Sequence, residues 1–197
     1  MENEINTIRK TKQRILIEAM KLFSIYGFDA VSIRKIAHAV GVGNSALYKH
    51  FQSKQEILEA IVAYSKEYFM EVSCEQVKHI ENLSDLKTAC LHMFDFQTKD
   101  KWMVMFRRLL IIEQFKNPQM AELYQSFFIE LPVRTQATLF DELIEAGALK
   151  NKNSTVMAME LYAPFFLYHT IANSQLNLRE LFACHVENFY EAYVIQG

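Results

Sequence analysis

Apolar residues recur at helical spacing along most of the chain, and this pattern predicts an all-α protein. The first helix is predicted at Arg9–Tyr26, where Gly27 ends the apolar pattern. A later helix begins at the capping box Ser53-Lys54-Gln55-Glu56. Further helices are predicted at 33–40, 44–51, 84–98, 101–116, 118–146, 154–175 and 177–195. The chain should therefore consist of about nine helices, with no strands.

The composition agrees with long helices and argues against a secreted or membrane-spanning protein. Apolar residues make up 51% of the 197 residues, and only five Gly and three Pro are present. This scarcity favours helices, because sheet-rich folds need turn residues every 8 to 12 positions or so. The charged residues 1–20 do not form a secretory signal, and no run of about 18 apolar residues could span a membrane. Three cysteines without paired spacing, Cys74, Cys90 and Cys184, are typical of a cytoplasmic protein.

Charge is distributed unevenly along the chain. Residues 1–54 carry nine Lys and Arg against four acidic residues, a net charge of +5, whereas residues 55–197 have a net charge of −7. A basic segment joined to an acidic remainder suggests that only the N-terminal segment meets a polyanion.

Residues 33–51 have the apolar spacing of a helix-turn-helix. Ile36 and Val40 lie one helical turn apart, and Ala37 between them is small enough for a second helix to cross closely. Gly41 stands where the chain leaves the first helix, in a left-handed conformation that glycine adopts at little cost. Two helices joined steeply through so short a turn present the second helix to the DNA major groove. An ordinary helical hairpin has the same spacing, so the polar residues must decide between the two.

Cations occupy positions that a helix start normally disfavours. Arg34 and Lys35 fall in the first turn of their helix, where the helix dipole opposes positive charge. A phosphate bound at this helix end would make the same charges favourable. Four side chains suited to a phosphate backbone flank one short helix: Ser32, Arg34, Tyr48 and Lys54.

Residues 27–54 resemble the DNA-binding domain of TetR-family repressors. The matching residues are GFDAVSIRKIA at 27–37, GV at 41–42, LYKHF at 47–51 and SK at 53–54, and the resemblance extends over roughly residues 9–60. It implies a repressor that binds a palindromic operator on double-stranded DNA as a homodimer and responds to a small effector. It also implies a helix-turn-helix domain at 1–54 and a helical effector-binding and dimerisation domain at 55–197.

The same resemblance assigns roles to individual residues. It implies phosphate contacts by Ser32, Arg34, Tyr48, His50 and Lys54, and base contacts by Asn44, Ser45, Ala46 and Lys49. The turn departs from the family's usual Gly-Val-Ser-Lys-Gly-Thr, because residues 43–46 read Gly-Asn-Ser-Ala. Asn can bond adenine bidentately, and an Ala methyl can touch a thymine methyl. A helix N-cap is the alternative role for Asn44.

Large apolar side chains are dense at 90–128 and 157–169, where regulators of this family usually bury an effector. A plain hydrophobic core is the alternative. Pro132 and Pro164 fall inside predicted helices and are expected to bend them. We predict a site for an apolar or aromatic effector, formed by Phe94, Trp102, Met105, Phe106, Phe127, Phe128, Tyr162, Phe165, Phe166 and His169.

The last two predicted helices are expected to form a dimerisation surface, with a broad apolar stripe of Leu178, Phe182, Val186, Phe189 and Tyr193 near the terminus. A stripe this wide usually packs against another element. Packing within the monomer would explain it, but the family resemblance and operator symmetry favour an intersubunit four-helix bundle.

The sequence lacks the patterns of catalytic and metal sites. The six His are scattered, and there is no HExxH motif, paired Cys/His cluster or Gly-rich phosphate loop. We therefore predict neither an enzyme nor a bound metal or cofactor. A helical adaptor that binds only proteins is the remaining alternative, but it would not account for the phosphate-binding groups at 32–54.

Overall fold

The computed structural model describes residues 2–77, 83–170 and 176–195, and helices connected by short loops account for nearly all of them. The helices are α1 (Glu2–Tyr26), α2 (Ile33–Val40), α3 (Asn44–Tyr48), α4 (Lys54–Val77), α5 (Leu83–Lys99), α6 (Lys101–Glu113), α7 (Pro118–Gln125), α8 (Leu131–Glu145), α9 (Ser154–Thr170) and α10 (Leu178–Tyr193). A π-helical turn at Ser126–Glu130 connects α7 to α8. The predicted all-α fold is confirmed.

Most helix boundaries lie close to those predicted, because caps and helix breakers act locally. Residues 118–145 form the continuous helical run that the pattern predicts, with the π-helical turn inside it. Helix α3 is shorter than predicted, since it ends at Tyr48 rather than at residue 51. The predicted end of α9 at residue 175 lies outside the described residues.

Pro132 is the second residue after the π-helical turn. In this turn the Leu131 N–H donates to the Ser126 carbonyl, five residues earlier rather than four. A proline has no N–H and crowds the carbonyl four residues before it, so a wider turn at this point relieves the conflict.

Pro164 lies inside α9 and removes the N–H that would bond the Glu160 carbonyl. The Nε2 atom of His185, on α10, lies 3.1 Å from that carbonyl oxygen. The imidazole therefore replaces the missing helical donor, and α10 is held to α9 at the proline position.

The chain divides into two compact units. Unit 1 comprises Met1–Val72 and Lys101–Ala121, and unit 2 comprises Ser73–Asp100 and Glu122–Gly197. The predicted boundary after residue 54 differs from this division, because α1 packs against α6 and brings that helix into unit 1. A contact between segments almost a hundred residues apart is not readable from local pattern.

Each unit has its own buried apolar residues. In unit 1 they come from α1 to α4 and from α6, and include Ile15, Ala19, Phe23, Ile36, Val40, Leu47, Phe51, Ile57, Phe106 and Leu110. In unit 2 they come mainly from α5, α8, α9 and α10, and include Phe94, Phe140, Leu161, Tyr162, Phe165, Phe182, Val186 and Phe189. Within the described parts of the chain, no helix is both long and apolar enough to cross a membrane.

Candidate DNA-binding surface

Helix α2 is closed at both ends by groups that the sequence predicts. Ser32 is its N-cap, and the Ser32 side-chain oxygen accepts a hydrogen bond from the Lys35 N–H at 3.2 Å. Gly41 ends the helix with φ +76°, in the left-handed region, and the next N–H, of Val42, donates to the Ala37 carbonyl at 3.0 Å. This ending turns the chain sharply into α3.

Helix α3 begins at Asn44, and its N-cap is Gly43. The Gly43 carbonyl accepts from the N–H groups of Ala46 and Leu47 at 3.0 and 3.1 Å. The alternative role of Asn44 as an N-cap is therefore wrong: a backbone carbonyl one residue earlier starts the helix. The exposed Asn44 side chain does not cap α3.

The two faces of α3 differ in burial. Leu47 is fully buried against α2, whereas the adjacent Tyr48 is 51% exposed. Of the residues predicted to contact DNA, six are exposed (Ser32, Arg34, Asn44, Ser45, Tyr48 and Lys49) and three are half-buried (Ala46, His50 and Lys54). Residues 30–55 contain no Asp or Glu, so no acidic side chain of this segment would oppose a polyanion.

Lys54 has partners within the protein. Its Nζ donates to the Phe28 carbonyl at 2.8 Å and lies 4.2 Å from the centre of the Phe28 ring. A weaker contact reaches the Asp29 carbonyl at 3.4 Å. Lys54 thus connects the start of α4 to the α1–α2 loop, a role that its position in the sequence does not reveal.

Other cations near the helix-turn-helix are also held by protein groups. Lys35 places its Nζ 3.5 Å from the centre of the Tyr26 ring, which offsets its unfavourable position in the first turn of α2. The Arg14 guanidinium donates to the Val40 carbonyl and so caps the end of α2. Arg34 of α2 and Lys49, the C-cap residue of α3, are exposed cations on this surface.

A buried carboxylate lies at the α1–α2 loop. Glu113, the last residue of α6, is 3% exposed, and its Oε1 accepts from the Phe28 N–H at 2.9 Å. Sequence analysis missed both Arg14 and Glu113, because their partners lie 26 and 85 residues away along the chain.

The residues predicted to bind an effector belong to both units. Trp102, Met105 and Phe106 lie on α6 in unit 1, where the Trp102 Nε1 donates to Ser65 Oγ at 2.9 Å. The others belong to unit 2, but the side chain of His169 lies outside what the structure describes. Phe127 and Phe128 are buried and flank each other at 6.4 Å between ring centres.

In unit 2, several of the predicted effector residues pack tightly on one another. Phe94 stacks on Phe182 at 4.6 Å, and Tyr162 stacks on Phe165 at 4.6 Å and meets Phe166 edge-on at 5.5 Å. A cavity elsewhere in unit 2, bordered by residues such as Cys90, Phe140 and Val186, has a volume of about 10 Å³, room for one water molecule. The ring cluster is therefore part of the core in this conformation.

The stripe predicted for dimerisation faces the interior of unit 2. Phe182, Val186 and Phe189 are 0%, 3% and 9% exposed, and Leu178 and Tyr193 pack against the same core. The assignment of the three buried side chains to a subunit interface is wrong, because contacts within one chain already cover them. Other faces of α9 and α10 carry exposed apolar residues: Val156, Met159, Leu167 and Leu181.

The short second helix, its exposed polar face and the acid-free segment around it are features of helix-turn-helix segments that bind DNA. Residues 15–61 match the family model described as bacterial regulatory proteins, tetR family. The segment that contains the helix-turn-helix is therefore similar to the DNA-binding part of TetR-family regulators.

Two curated relatives are HTH-type transcriptional regulators. YerO of Bacillus subtilis is 35% identical over 74 residues, which cover 38% of this chain and 24% of YerO. AcrR of Shigella flexneri is 32% identical over 107 residues, which cover 53% of this chain and 47% of AcrR. The matched segment thus spans less than half of either relative.

Among solved structures, the fold is similar to that of SmeT, the repressor of the Stenotrophomonas maltophilia multidrug efflux pump SmeDEF. SmeT in complex with triclosan aligns with a TM-score of 0.71 at 20% identity, covering 95% of this chain and 93% of SmeT. Almost the whole chain therefore has the same fold as SmeT.

Proposed function

We propose that this chain is a transcriptional repressor that binds a palindromic operator as a homodimer and leaves it when a small apolar or aromatic effector binds. The observation that carries the proposal is the face of α3: Leu47 anchors the helix in the core, while Asn44, Tyr48 and Lys49 are exposed in a segment without acidic residues. A helix placed in this way can enter the major groove of B-DNA.

The polar residues divide into phosphate-binding and base-reading groups. Arg34, Tyr48 and His50 offer charge or hydrogen bonds to phosphates, which give affinity without sequence preference. Asn44, Ser45, Ala46 and Lys49 face the base edges, where donor and acceptor patterns differ between base pairs. Lys54 contributes mainly by holding the α1–α2 loop, since its ammonium is bound to the Phe28 carbonyl.

The proposed dimer uses a face of α9 that the unit 2 core leaves uncovered. Val156, Met159 and Leu167 recur on one side of α9 and are 50 to 58% exposed. Leu181 extends the apolar surface to α10 and is 47% exposed. Pairing this surface with a second copy would form a two-fold interface of four helices, as operator symmetry requires.

Of the proposed partners, the effector is the one whose chemical identity the structure restricts least. The solved complex of SmeT with triclosan, a small aromatic molecule, supports an effector of that class. The ring cluster of unit 2 is packed in this conformation, so binding there would require rings such as Phe166 to move apart. A drug-sized ligand needs a pocket of about 300 Å³ or more.

DNA binding is tested by selecting genomic fragments with the full chain and measuring affinity for the recovered site at several salt concentrations. Affinity should fall steeply with salt, because each neutralised phosphate releases counterions. Arg34→Ala should reduce the slope of log K against log salt by about 1, since it removes one phosphate contact. Lys152→Ala, which removes an exposed cation of unit 2, is the matched control and should leave the slope unchanged.

The absence of salt-dependent binding to any duplex would overturn the proposal of a DNA-binding regulator and favour an adaptor that binds only proteins.

The dimer is tested separately by sedimentation. Leu167→Glu should shift the dimer to monomers, whereas Phe115→Glu, at an exposed apolar residue of unit 1, should not.

A further inference from the structure

We propose that Glu113 is a positioning residue that sets the orientation of α2 and α3 by binding the peptide that precedes them. Its carboxylate is buried at the end of α6, and Oε1 accepts from the Phe28 N–H at 2.9 Å. Phe28 lies in the loop that joins α1 to α2, so this bond ties α6 directly to the start of the helix-turn-helix.

The Phe28 peptide is bound on both sides. Its N–H donates to Glu113, and its carbonyl accepts from Lys54 Nζ at 2.8 Å. The Phe28 ring lies under the same ammonium and also packs on Phe23 of α1, at 5.3 Å between ring centres. One residue of the loop therefore connects the end of α6, the start of α4 and the core of α1.

The Glu113 carboxylate packs closely against Gly27. Gly27 ends α1 with φ +78°, and a Cβ at Gly27 would lie 2.8 Å from the Glu113 Oε1. A side chain here would be strained by its backbone angle and would also push the carboxylate away. The absence of a Cβ at Gly27 is what allows Glu113 to reach the Phe28 N–H.

A movement of α6 would therefore change the position of the α1–α2 loop and of α2. A displacement of its end by about 1 Å away from the loop would take the N–H to oxygen distance beyond the hydrogen-bonding range. Either the loop follows α6, and α2 with it, or the Phe28 N–H loses its acceptor. Glu113 thus makes the DNA-binding helices sensitive to the position of α6, an inference that rests on the proposed function.

The test compares Glu113→Leu, which keeps the volume but removes the acceptor, with Glu113→Gln, which keeps an acceptor oxygen. Leu110→Ala is the matched control, because it removes buried apolar atoms from the same helix and keeps the Glu113 carboxylate. For each full-length variant, amide hydrogen exchange at Phe28 and affinity for the selected duplex are measured below the onset of thermal unfolding.

We expect Glu113→Leu to lower both the protection of the Phe28 amide and the DNA affinity by about tenfold, since the Phe28 N–H loses its acceptor and no longer holds the loop. Glu113→Gln should restore most of both, and Leu110→Ala should lower the Tm while leaving both nearly unchanged. Wild-type protection of Phe28 in Glu113→Leu would overturn the proposal. So would an equal loss of DNA affinity in Leu110→Ala, because the effect would then be general loosening.

The amide measurement does not depend on DNA binding. If the wild-type chain binds no duplex, the proposed function fails while the exchange at Phe28 still reports whether Glu113 holds the loop. If DNA binds normally but the two Glu113 variants do not differ, only the positioning role fails.

Discussion

Unit 1 and unit 2 are both helical and both have buried apolar cores, but they are held together in different ways. In unit 1, individual polar side chains fix the loop and helix ends, as Lys54 does at the Phe28 carbonyl and Arg14 at the Val40 carbonyl. In unit 2, aromatic rings contact one another in a cluster centred on Phe94, Phe165 and Phe182. Position-specific bonds characterise one unit, and mutual ring packing the other.

This difference explains why function is easier to infer for unit 1. A hydrogen bond has a defined donor, acceptor and direction, so a motif that requires it restricts the residue types at fixed spacings. Aromatic packing accepts many arrangements of similar volume, and the same residues can fill a core or border a pocket. Unit 2 therefore has a clear fold but no residue whose chemistry identifies an effector.

The largest effect is expected in unit 2. Phe182 is fully buried among the rings, and Phe182→Ala should lower the free energy of unfolding by about 3–5 kcal/mol through lost burial and a cavity. Urea unfolding measures this, with the neighbouring exposed Leu181→Ala as control, expected within about 0.5 kcal/mol of wild type. Similar losses in both variants would mean that α10 does not present Phe182 to the core.

In unit 1 the next largest effect should appear as specificity rather than stability. Asn44→Ala should remove about 1–3 kcal/mol of discrimination between the selected operator and a scrambled duplex. Competition binding with the two duplexes measures the ratio. If Asn44→Ala weakens both duplexes equally, Asn44 contacts the backbone and the base-reading role is lost.

Tyr48→Phe should have a smaller effect that is independent of sequence. It removes only the exposed hydroxyl, and a lost hydrogen bond to phosphate should cost about 1 kcal/mol on both duplexes. Fluorescence anisotropy resolves such a change, and unfolding in urea should be unaltered. A loss confined to the operator would instead assign Tyr48 to base reading.

The smallest effect concerns alkaline stability in unit 2. Burial raises the pKa of the Cys90 thiol from 9.0 to about 12, so the folded chain keeps this proton while the unfolded chain loses it above pH 9. Stability from the buried thiol is complete below pH 9 and falls as pH rises towards 12. Between pH 8 and pH 10, wild type should lose about 1 kcal/mol more than Cys90→Ala in urea unfolding. Parallel pH profiles would show that the thiol is accessible when folded.

The helices and the helix-turn-helix could be predicted from the sequence because their determinants are local. Ser32 begins α2 and Gly41 ends it, and each acts within the adjacent turn of the helix. The apolar spacing of Ile36, Val40 and Leu47 places them in one core. These signals act over four residues or fewer, where side-chain geometry alone decides the conformation.

The exposure of each site residue also follows from its local position in the sequence. The hydrogen-bond partners of these residues do not follow from it. Arg34 and Tyr48 are exposed because their neighbours Ile36 and Leu47 are buried. Lys54 is predicted as a phosphate contact, and in the structure it also donates to the loop carbonyl of Phe28. Nothing near Lys54 in the sequence indicates that this carbonyl, 26 residues earlier, comes within reach.

By itself, then, the sequence determined the helices, the turn and the family resemblance of the N-terminal segment, since each depends on short-range spacing. Only the tertiary structure decided that Glu113 reaches the Phe28 N–H and that Phe182 faces the core of its own chain. An amphipathic stripe indicates that one face of a helix is buried, but which element buries that face depends on how distant helices pack. For this reason the dimer surface that we propose includes the exposed apolar face of α9 and not the buried stripe of α10.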